Sequence, residues 1–536
     1  MSRVPGAFSL TALARIGFTE LSSADAGLSE LETLLGMPRA GWQTVASIAA
    51  DPDAALASLV RIARRSPEAV RAALASEEAA PAVWALLGAS SGFGDFFLRH
   101  PDELVTFVEA PRSLPTRAEM TTEMLVAVDA HGGFAARGDE SAWVALRVRY
   151  RALLARIAGF DLRSSAPVEI VGDVAASISD AAGAALEASL AVARTRLCGG
   201  PGAQFTRAEV AAARLAIIGM GKAGARELNY VSDVDVIFVG GARAGAGEAG
   251  EPGEPEGSLS EPRAIELTTR LALQTMRGVS APEVEPPLWE VDANLRPEGK
   301  KGALVRTLDS HIAYYERWAN SWEFQALLKA RPLAGDAELG DQYVAAVGPM
   351  VWASSARENF VDSVQRMRER VTEHIPAEEA PLQIKLGAGG LRDIEFTVQL
   401  LQLVHGFSDD AIRQRGTLDA LHALVDEGYI GRADAATFAH DYRVLRLLEH
   451  RMQLLRLKQT HLMPRTPEGL RVLARGSGLA DNGAGIWELW EGVKREVREI
   501  HVRLFYRPLL SAVAALPDRE QELSPEQAAD RLAAIG

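Results

Sequence analysis

Ser232-Asp233-Val234-Asp235-Val236-Ile237-Phe238 alternates acidic and apolar side chains as a half-buried strand does. Side chains alternate faces along a strand, so Asp233 and Asp235 point one way while Val234, Val236 and Phe238 point into a core. Two carboxylates side by side in an apolar strand repel each other, and burying them without a cation is costly. Donors that are all oxygen suit Mg²⁺ or Mn²⁺. Just upstream, Leu215-Ala216-Ile217-Ile218 is a short apolar run ending at Gly219, which suits a buried strand entering a turn. That turn, Gly219-Met220-Gly221-Lys222-Ala223-Gly224, matches G-x-G-x-x-G. A dinucleotide fold would need a crossover helix next, and an acid after the second strand. Only eight residues separate Gly224 from Asp233, too few for that helix, and the acids begin the second strand. The dinucleotide reading is therefore set aside.

Downstream, Pro287 to Arg296 reads as extended and brings a third acid. Alternation places Glu290, Asp292 and Asn294 opposite Val291 and Leu295. Asp292 can therefore complete a site with Asp233 and Asp235 from a neighbouring strand, with Arg296 beside it for phosphate charge. A glycine turn, a D-x-D strand and a separate acidic strand form the layout of nucleotidyltransferase-type phosphoryl chemistry. In that chemistry backbone amides hold phosphates while metal ions activate the incoming oxygen and stabilise the leaving one.

Outward from this centre the chain reads as helix. Residues 1–200 are rich in Ala and Leu, with stop signals at Pro38, Pro67, Gly88, Pro101, Pro111, Gly132-Gly133 and Gly159. Trp143, Leu146, Tyr150, Leu153, Leu154 and Ile157 form one core-facing stripe, and Arg147, Arg149 and Arg151 read as its solvated flanks. Gly240 to Pro262 carries five glutamates and one arginine among Gly, Ala and Pro, the composition of a flexible insertion. From about Ser310 helical periodicity continues to the end. The expected class is α+β and predominantly helical. A nucleotidyltransferase-type mixed sheet core (201–335, with its acidic insertion at 240–262) follows an N-terminal helical region (1–200). It precedes a C-terminal helical bundle (336–515), and 516–536 opens a linker or further domain.

Composition excludes several classes. The 57 basic and 71 acidic side chains give a net charge of −14, which argues against a primary nucleic-acid binder. Cys198 is the one cysteine, so there is no disulfide framework or cysteine-rich zinc site, and its position after an Ala-rich helix marks it as inert. No run of 18 apolar residues occurs, and the N-terminal Ala7 to Leu13 stretch is broken by Ser and Thr and closed by Arg15. A cytoplasmic protein with no membrane partner is expected.

At the centre the sequence is specific enough to resemble a known family. Gly219-Met220-Gly221-Lys222, Glu227-Leu228-Asn229-Tyr230, Ser232-Asp233 and Asp235 resemble the bifunctional adenylyltransferase/adenylyl-removing enzyme of glutamine synthetase. So do Asp292, Leu295-Arg296-Pro297, Trp322-Glu323 and Leu328-Lys329-Ala330-Arg331. Lys385-x-Gly387-x-Gly389-Gly390-Leu391-Arg392-Asp393-Ile394-Glu395-Phe396, Leu448-Glu449-His450-Arg451-x-Gln453 and Gln459-Thr460-His461 extend the likeness to beyond residue 450. The family pairs two nucleotidyltransferase units, and this sequence carries one S-D-x-D strand. Its Glu227-Leu228-Asn229 is similar to the N-terminal, adenylyl-removing unit.

The resemblance implies phosphorolysis of an adenylyl-tyrosine on glutamine synthetase, consuming phosphate and releasing ADP, and thereby regulation of nitrogen assimilation. It implies metal binding by Asp233, Asp235 and Asp292 with Mg²⁺, or Mn²⁺, as the ion. It implies nucleotide or phosphate contacts from Gly219, Gly221, Lys222, Ser232 and Arg296, with Lys329 and Arg331 as further phosphate candidates. A PII-type signal protein is an implied partner. Two alternatives stand beside it: AMP transfer from ATP by this same unit, and a non-catalytic module that binds glutamine synthetase or a PII-type protein. The Lys385–Phe396 segment reads either as an anion-binding turn at a helix start or as a structural, interdomain element, the latter favoured. Asp393 and Glu395, two apart on that helix, do not share a face. His450 and His461 read as core or surface histidines rather than metal ligands. One catalytic unit where the family has two, and the helix start at Ser524-Pro525-Glu526 so near Gly536, suggest an N-terminal half or fragment.

Overall fold

A computed structural model describes residues 9–76, 78–199, 203–243, 259–357, 360–373 and 375–506. Five short strands form one mixed sheet: β1 (Ala213–Gly219), β2 (Val234–Ala242), β3 (Val291–Asp292), β4 (Val305–Arg306) and β5 (Arg331–Gly335). Their order is β3-β2-β1-β5, with β4 also pairing β2. β1 runs antiparallel to β2 and to β5, whereas β3 and β4 run parallel to β2. Every other regular element among the described residues is a helix.

Alternation along β2 divides the core in two. Val234, Val236 and Phe238 pack with the N-terminal helices in one large cluster that also takes Leu215 and Ile217 of β1. Ile237 and Val239 face the other way, toward Tyr315, Phe324, Tyr343 and Phe396. Asp233 and Asp235 share parity with Ile237, so they are aimed at the C-terminal half of the chain. A third apolar cluster lies wholly within the C-terminal helices, around Ile394, Phe438, Leu445 and Trp490.

Two long helices dominate the N-terminal region. α1 (Glu140–Asp161) buries Trp143, Leu146, Tyr150, Leu153, Leu154 and Ile157, as the stripe predicts. α2 (Pro167–Cys198) opens with Pro at its first position and is Ala-rich throughout, both favourable to helix. It packs along α3 (Glu261–Ser280). The reading of Arg147 and Arg151 as solvated flanks is corrected: both are buried. Arg147 donates to the carbonyls of Gly278 (2.9 Å), Ala281 (2.8 Å) and Glu285 (2.8 Å), capping the end of α3. Arg151 pairs with Glu285 at 2.9 Å.

Three further expectations change. β2 runs on to Ala242 and α3 starts at Glu261, so the edges of the predicted 240–262 insertion are regular structure; residues 244–258 lie outside the described residues, as do 507–536. The extended stretch 287–296 forms strand only at Val291–Asp292, because Asp292 Oδ1 accepts from the Asn294 amide (2.7 Å) and Arg296 N–H donates to the Ala293 carbonyl (3.3 Å), closing a turn. Finally, β5 interrupts the helical run expected after Ser310 and supplies the sheet's other edge. Pro332 fits an edge strand, where one ladder bond can be forgone.

Candidate active site

Strand register sets one of the two predicted carboxylates, Asp235, beside the third acid. Asp235 of β2 is the register partner of Asp292 of β3, and Val234 N–H donates to the Glu290 carbonyl at 2.9 Å. Asp233 precedes the strand and, like Ser232, is half-buried in the irregular stretch between the bend at Tyr230-Val231 and Val234. The glycine turn closes over Asp235 from β1: Met220 N–H donates to the Asp235 carbonyl at 2.8 Å. Gly221 has φ +49°, and a Cβ there would lie 2.5 Å from Asp235 Oδ2, so only glycine fits. Gly219 ends β1 against Leu333.

The electrostatics follow from that crowding. Burial, then the neighbouring charge of Asp292, pushes the Asp235 carboxyl up to about 6, while Arg392 and Lys385 pull it down. Among the described residues, no group of three or more His, Cys, Asp or Glu side chains is gathered closely enough to hold a metal. Asp235 and Asp292 nevertheless present the oxygen-only donors a hard divalent cation takes, and a cation there would relieve their repulsion. The donor set fits Mg²⁺ or Mn²⁺.

The predicted phosphate ligands are distributed differently. Lys222 is buried, its ammonium 3.2 Å from both oxygens of Glu449. Burial draws it down to about 7 against the pull of Glu449. Lys329 is buried and donates to Glu227 Oε2 at 2.9 Å. Arg331 donates to the carbonyls of Ala223 (2.8 Å) and Gly224 (3.1 Å), and so holds the glycine turn. Arg296 donates to the carbonyls of Ala293 (2.7 Å) and Gly302 (3.2 Å), fixing the turn after β3. Four cations read as ligands thus spend donors on protein groups around the site.

Those groups define a buried polar seam to the C-terminal helices. α4 (Leu391–His405) and α5 (Arg432–Leu454) form its far wall. Arg446 donates to the Glu227 carbonyl at 2.6 Å and bonds Asn229 Oδ1. Glu227 Oε1 accepts from the Thr417 amide at 2.6 Å, and Gln453 Oε1 accepts from the Val231 amide at 3.1 Å. His461 Nδ1 lies 2.9 Å from Glu449, whose carboxyl the surrounding cations hold well below its ordinary range against the cost of burial. From the N-terminal side, Ser179 Oγ accepts from the Leu228 amide at 3.0 Å and Asp180 pairs with Arg226. The Glu-Leu-Asn segment is therefore clamped between α2 and α5. Glu395, buried beside Arg392 at 2.8 Å, is drawn down to about 2 by Arg392, Lys329, Lys222 and Lys385 despite its burial.

Sequence reasoning underweighted Lys385 and Arg392, read chiefly as structural; their nearness to Asp235 comes from tertiary folding alone. His450 is a buried core residue, as expected.

The sheet, the glycine turn and the register-paired aspartates define a nucleotidyltransferase-type core embedded in helical regions. Residues 82–346 match the family model described as glutamate-ammonia ligase adenylyltransferase, and residues 362–505 match that of GlnD PII-uridylyltransferase. The chain is similar to proteins named bifunctional glutamine synthetase adenylyltransferase/adenylyl-removing enzyme. The Leifsonia xyli subsp. xyli protein is 57% identical over 98% of this chain and 52% of its own length. Those of Streptomyces coelicolor (46%, over 98% of this chain and 50% of its own length) and Cutibacterium acnes (41%, over 98% and 52%) agree. The chain spans about half the length of these relatives. The names printed for these relatives and for the model matched at 82–346 are those of adenylyltransferases. No helix among the described residues is long and apolar enough to cross a membrane.

Proposed function

We propose that this chain removes AMP from an adenylylated tyrosine of glutamine synthetase by phosphorolysis. The observation that carries the reading is the register pairing of Asp235 with Asp292 beneath the Gly221 turn. It is a carboxylate site at a glycine turn, as a phosphoryl-transfer centre requires. The relatives' printed names support glutamine synthetase as the substrate, and the likeness of Glu227-Leu228-Asn229 to the adenylyl-removing unit favours the direction.

Asp235 and Asp292 would hold Mg²⁺ or Mn²⁺, which when bound neutralises phosphate oxygens, and Asp233 is the further ligand that the family resemblance implies. The chain itself would position the reactants, with the Gly219–Gly221 turn and Ser232 as the proposed phosphate or nucleotide contacts. An oxygen of inorganic phosphate forms a bond to the α-phosphorus, the bond from that phosphorus to the tyrosine Oη breaks, and the phenolate takes up a proton. Little covalent work falls to the protein, so positioning and charge dominate. A PII-type protein is the proposed regulatory partner, in keeping with the match at 362–505.

The test is to incubate the chain with adenylylated glutamine synthetase, Mg²⁺ and phosphate and follow ADP. Phosphate-dependent ADP release supports the reading. Its absence, with AMP transfer from ATP to unmodified glutamine synthetase instead, would establish the opposite direction.

A further inference from the structure

Lys222, Arg296, Lys329 and Arg331 are held by protein groups, yet two cations near Asp235 keep donors to spare. The Lys385 ammonium makes no hydrogen bond or ion pair among the described residues, while the charges of Arg392, Glu449, Glu395 and Asp235 act on it. Arg392 gives one nitrogen to Glu395, and 36% of its side chain remains exposed.

Lys385 lies on a loop built to stay still, and Arg392 in the first turn of α4, which that loop leads into. Leu391 N–H donates to the Ile384 carbonyl (3.1 Å) and Arg392 N–H to the Lys385 carbonyl (3.0 Å), so the loop's two ends are bonded and its cations stand together. Gly389 has φ +75° and lies against the Lys494 carbonyl, where a Cβ would collide. Its amide donates to Asp393 Oδ2 at 2.7 Å. Asp393 in turn is gripped by Arg368 (2.9 Å), which also donates to the Leu386 carbonyl (3.1 Å). On the other side, Ile384 N–H donates to the carbonyl of His461, the residue bonded to Glu449. The buried Asp393 and the seam thus fix the loop from behind and leave the cations in front. A rigid frame presenting unspent donors across from carboxylates is how a site pre-pays the positioning of an anion.

We propose that Lys385 and Arg392 hold the attacking phosphate against Asp235, and hold the same group as the β-phosphate of ADP once the bond to the α-phosphorus has formed. This rests on the phosphorolysis reading for its reaction, though its binding test does not. It assigns the Lys385–Arg392 loop, which sequence alone reads as structural, to the selection of ADP over AMP.

The experiment measures binding of ADP and of AMP to the chain by titration calorimetry in Mg²⁺, for wild type, Lys385→Gln and Arg392→Lys. Losing a charge-assisted hydrogen bond to phosphate weakens binding by about tenfold or more. Lys385→Gln should therefore bind ADP about tenfold more weakly while AMP affinity stays within about twofold. Arg392→Lys should fall between wild type and Lys385→Gln. Kinetically, the KM for phosphate should rise more than kcat falls. Equal losses for ADP and AMP, no loss for either, or a wild type that prefers AMP would each overturn the assignment; near-UV circular dichroism checks that the variants fold. A wild type without phosphorolysis but with the ADP-specific loss would refute the reaction and leave the phosphate site standing.

Discussion

Replacing Gly221 by alanine probes the site where it is tightest. The residue sits at φ +49°, and a left-handed alanine costs about 1–2 kcal/mol. The added Cβ would lie 2.5 Å from Asp235 Oδ2, whereas ordinary contact begins at 3.4 Å, so the oxygen must retreat by roughly 0.9 Å. A displacement of about 1 Å at a reacting centre lowers turnover on the order of 10²-fold. Gly36 supplies the control: it has φ +62° with no atom within 4 Å of a built Cβ. Gly36→Ala therefore carries the backbone cost without the collision. Urea unfolding should show both variants destabilised by about 1–2 kcal/mol. Phosphate-dependent ADP release should drop about 10²-fold in Gly221→Ala alone. Wild-type turnover in Gly221→Ala, or an equal drop in Gly36→Ala, would refute the placement of Asp235 at the reacting centre.

Three other outcomes are expected. Asp233→Asn should abolish ADP release while leaving circular dichroism unchanged, and retained activity would remove Asp233 from the site. Arg451→Met strands the buried Asp161, which now pairs with it at 2.8 Å, so urea unfolding should register a loss of about 3–5 kcal/mol that Asp161→Asn largely restores. Asp441 is buried with one oxygen unbonded, and burial, with Glu496 nearby, lifts its carboxyl to about 7. The folded state then holds its proton longer than the unfolded state, so stability present at about pH 4 is lost as pH rises through about 7. Asp441→Asn should flatten that slope in denaturation measured across pH 4–8, and an unchanged slope would contradict it.

The D-x-D strand was legible because strand alternation is local: Val234, Val236 and Phe238 are buried on one side, with Asp235 on the other. The stripe on α1 was legible for the same reason, with helical period. What escaped depends on partners distant in sequence. Arg147 looks like a solvated residue until the carbonyls at the end of α3 arrive to receive it. Lys329 and Arg331 lie in a run with helical character, yet Arg331 opens a strand because β1 offers an edge to pair with. The third acid was found by alternation, although the chain turns immediately after Asp292. Spacing alone could show neither that Lys222 is spent on Glu449 nor that Lys385 is left over, since each depends on folding that joins residues more than 100 apart.

The Asp161–Arg451 pair spans 290 residues of chain. At ribosomal rates of 5–20 residues per second, roughly 15 to 60 s separate the synthesis of its two halves. Throughout that interval Asp161 is a carboxylate with no guanidinium to meet it, and Tyr230, which donates to the same carboxylate at 2.8 Å, cannot neutralise it. Helix α1 and the sheet can be made long before the seam can close. The nascent site therefore waits for the last helices, and the order of synthesis delays the assembly of the seam behind the aspartates until nearly the whole described chain has emerged.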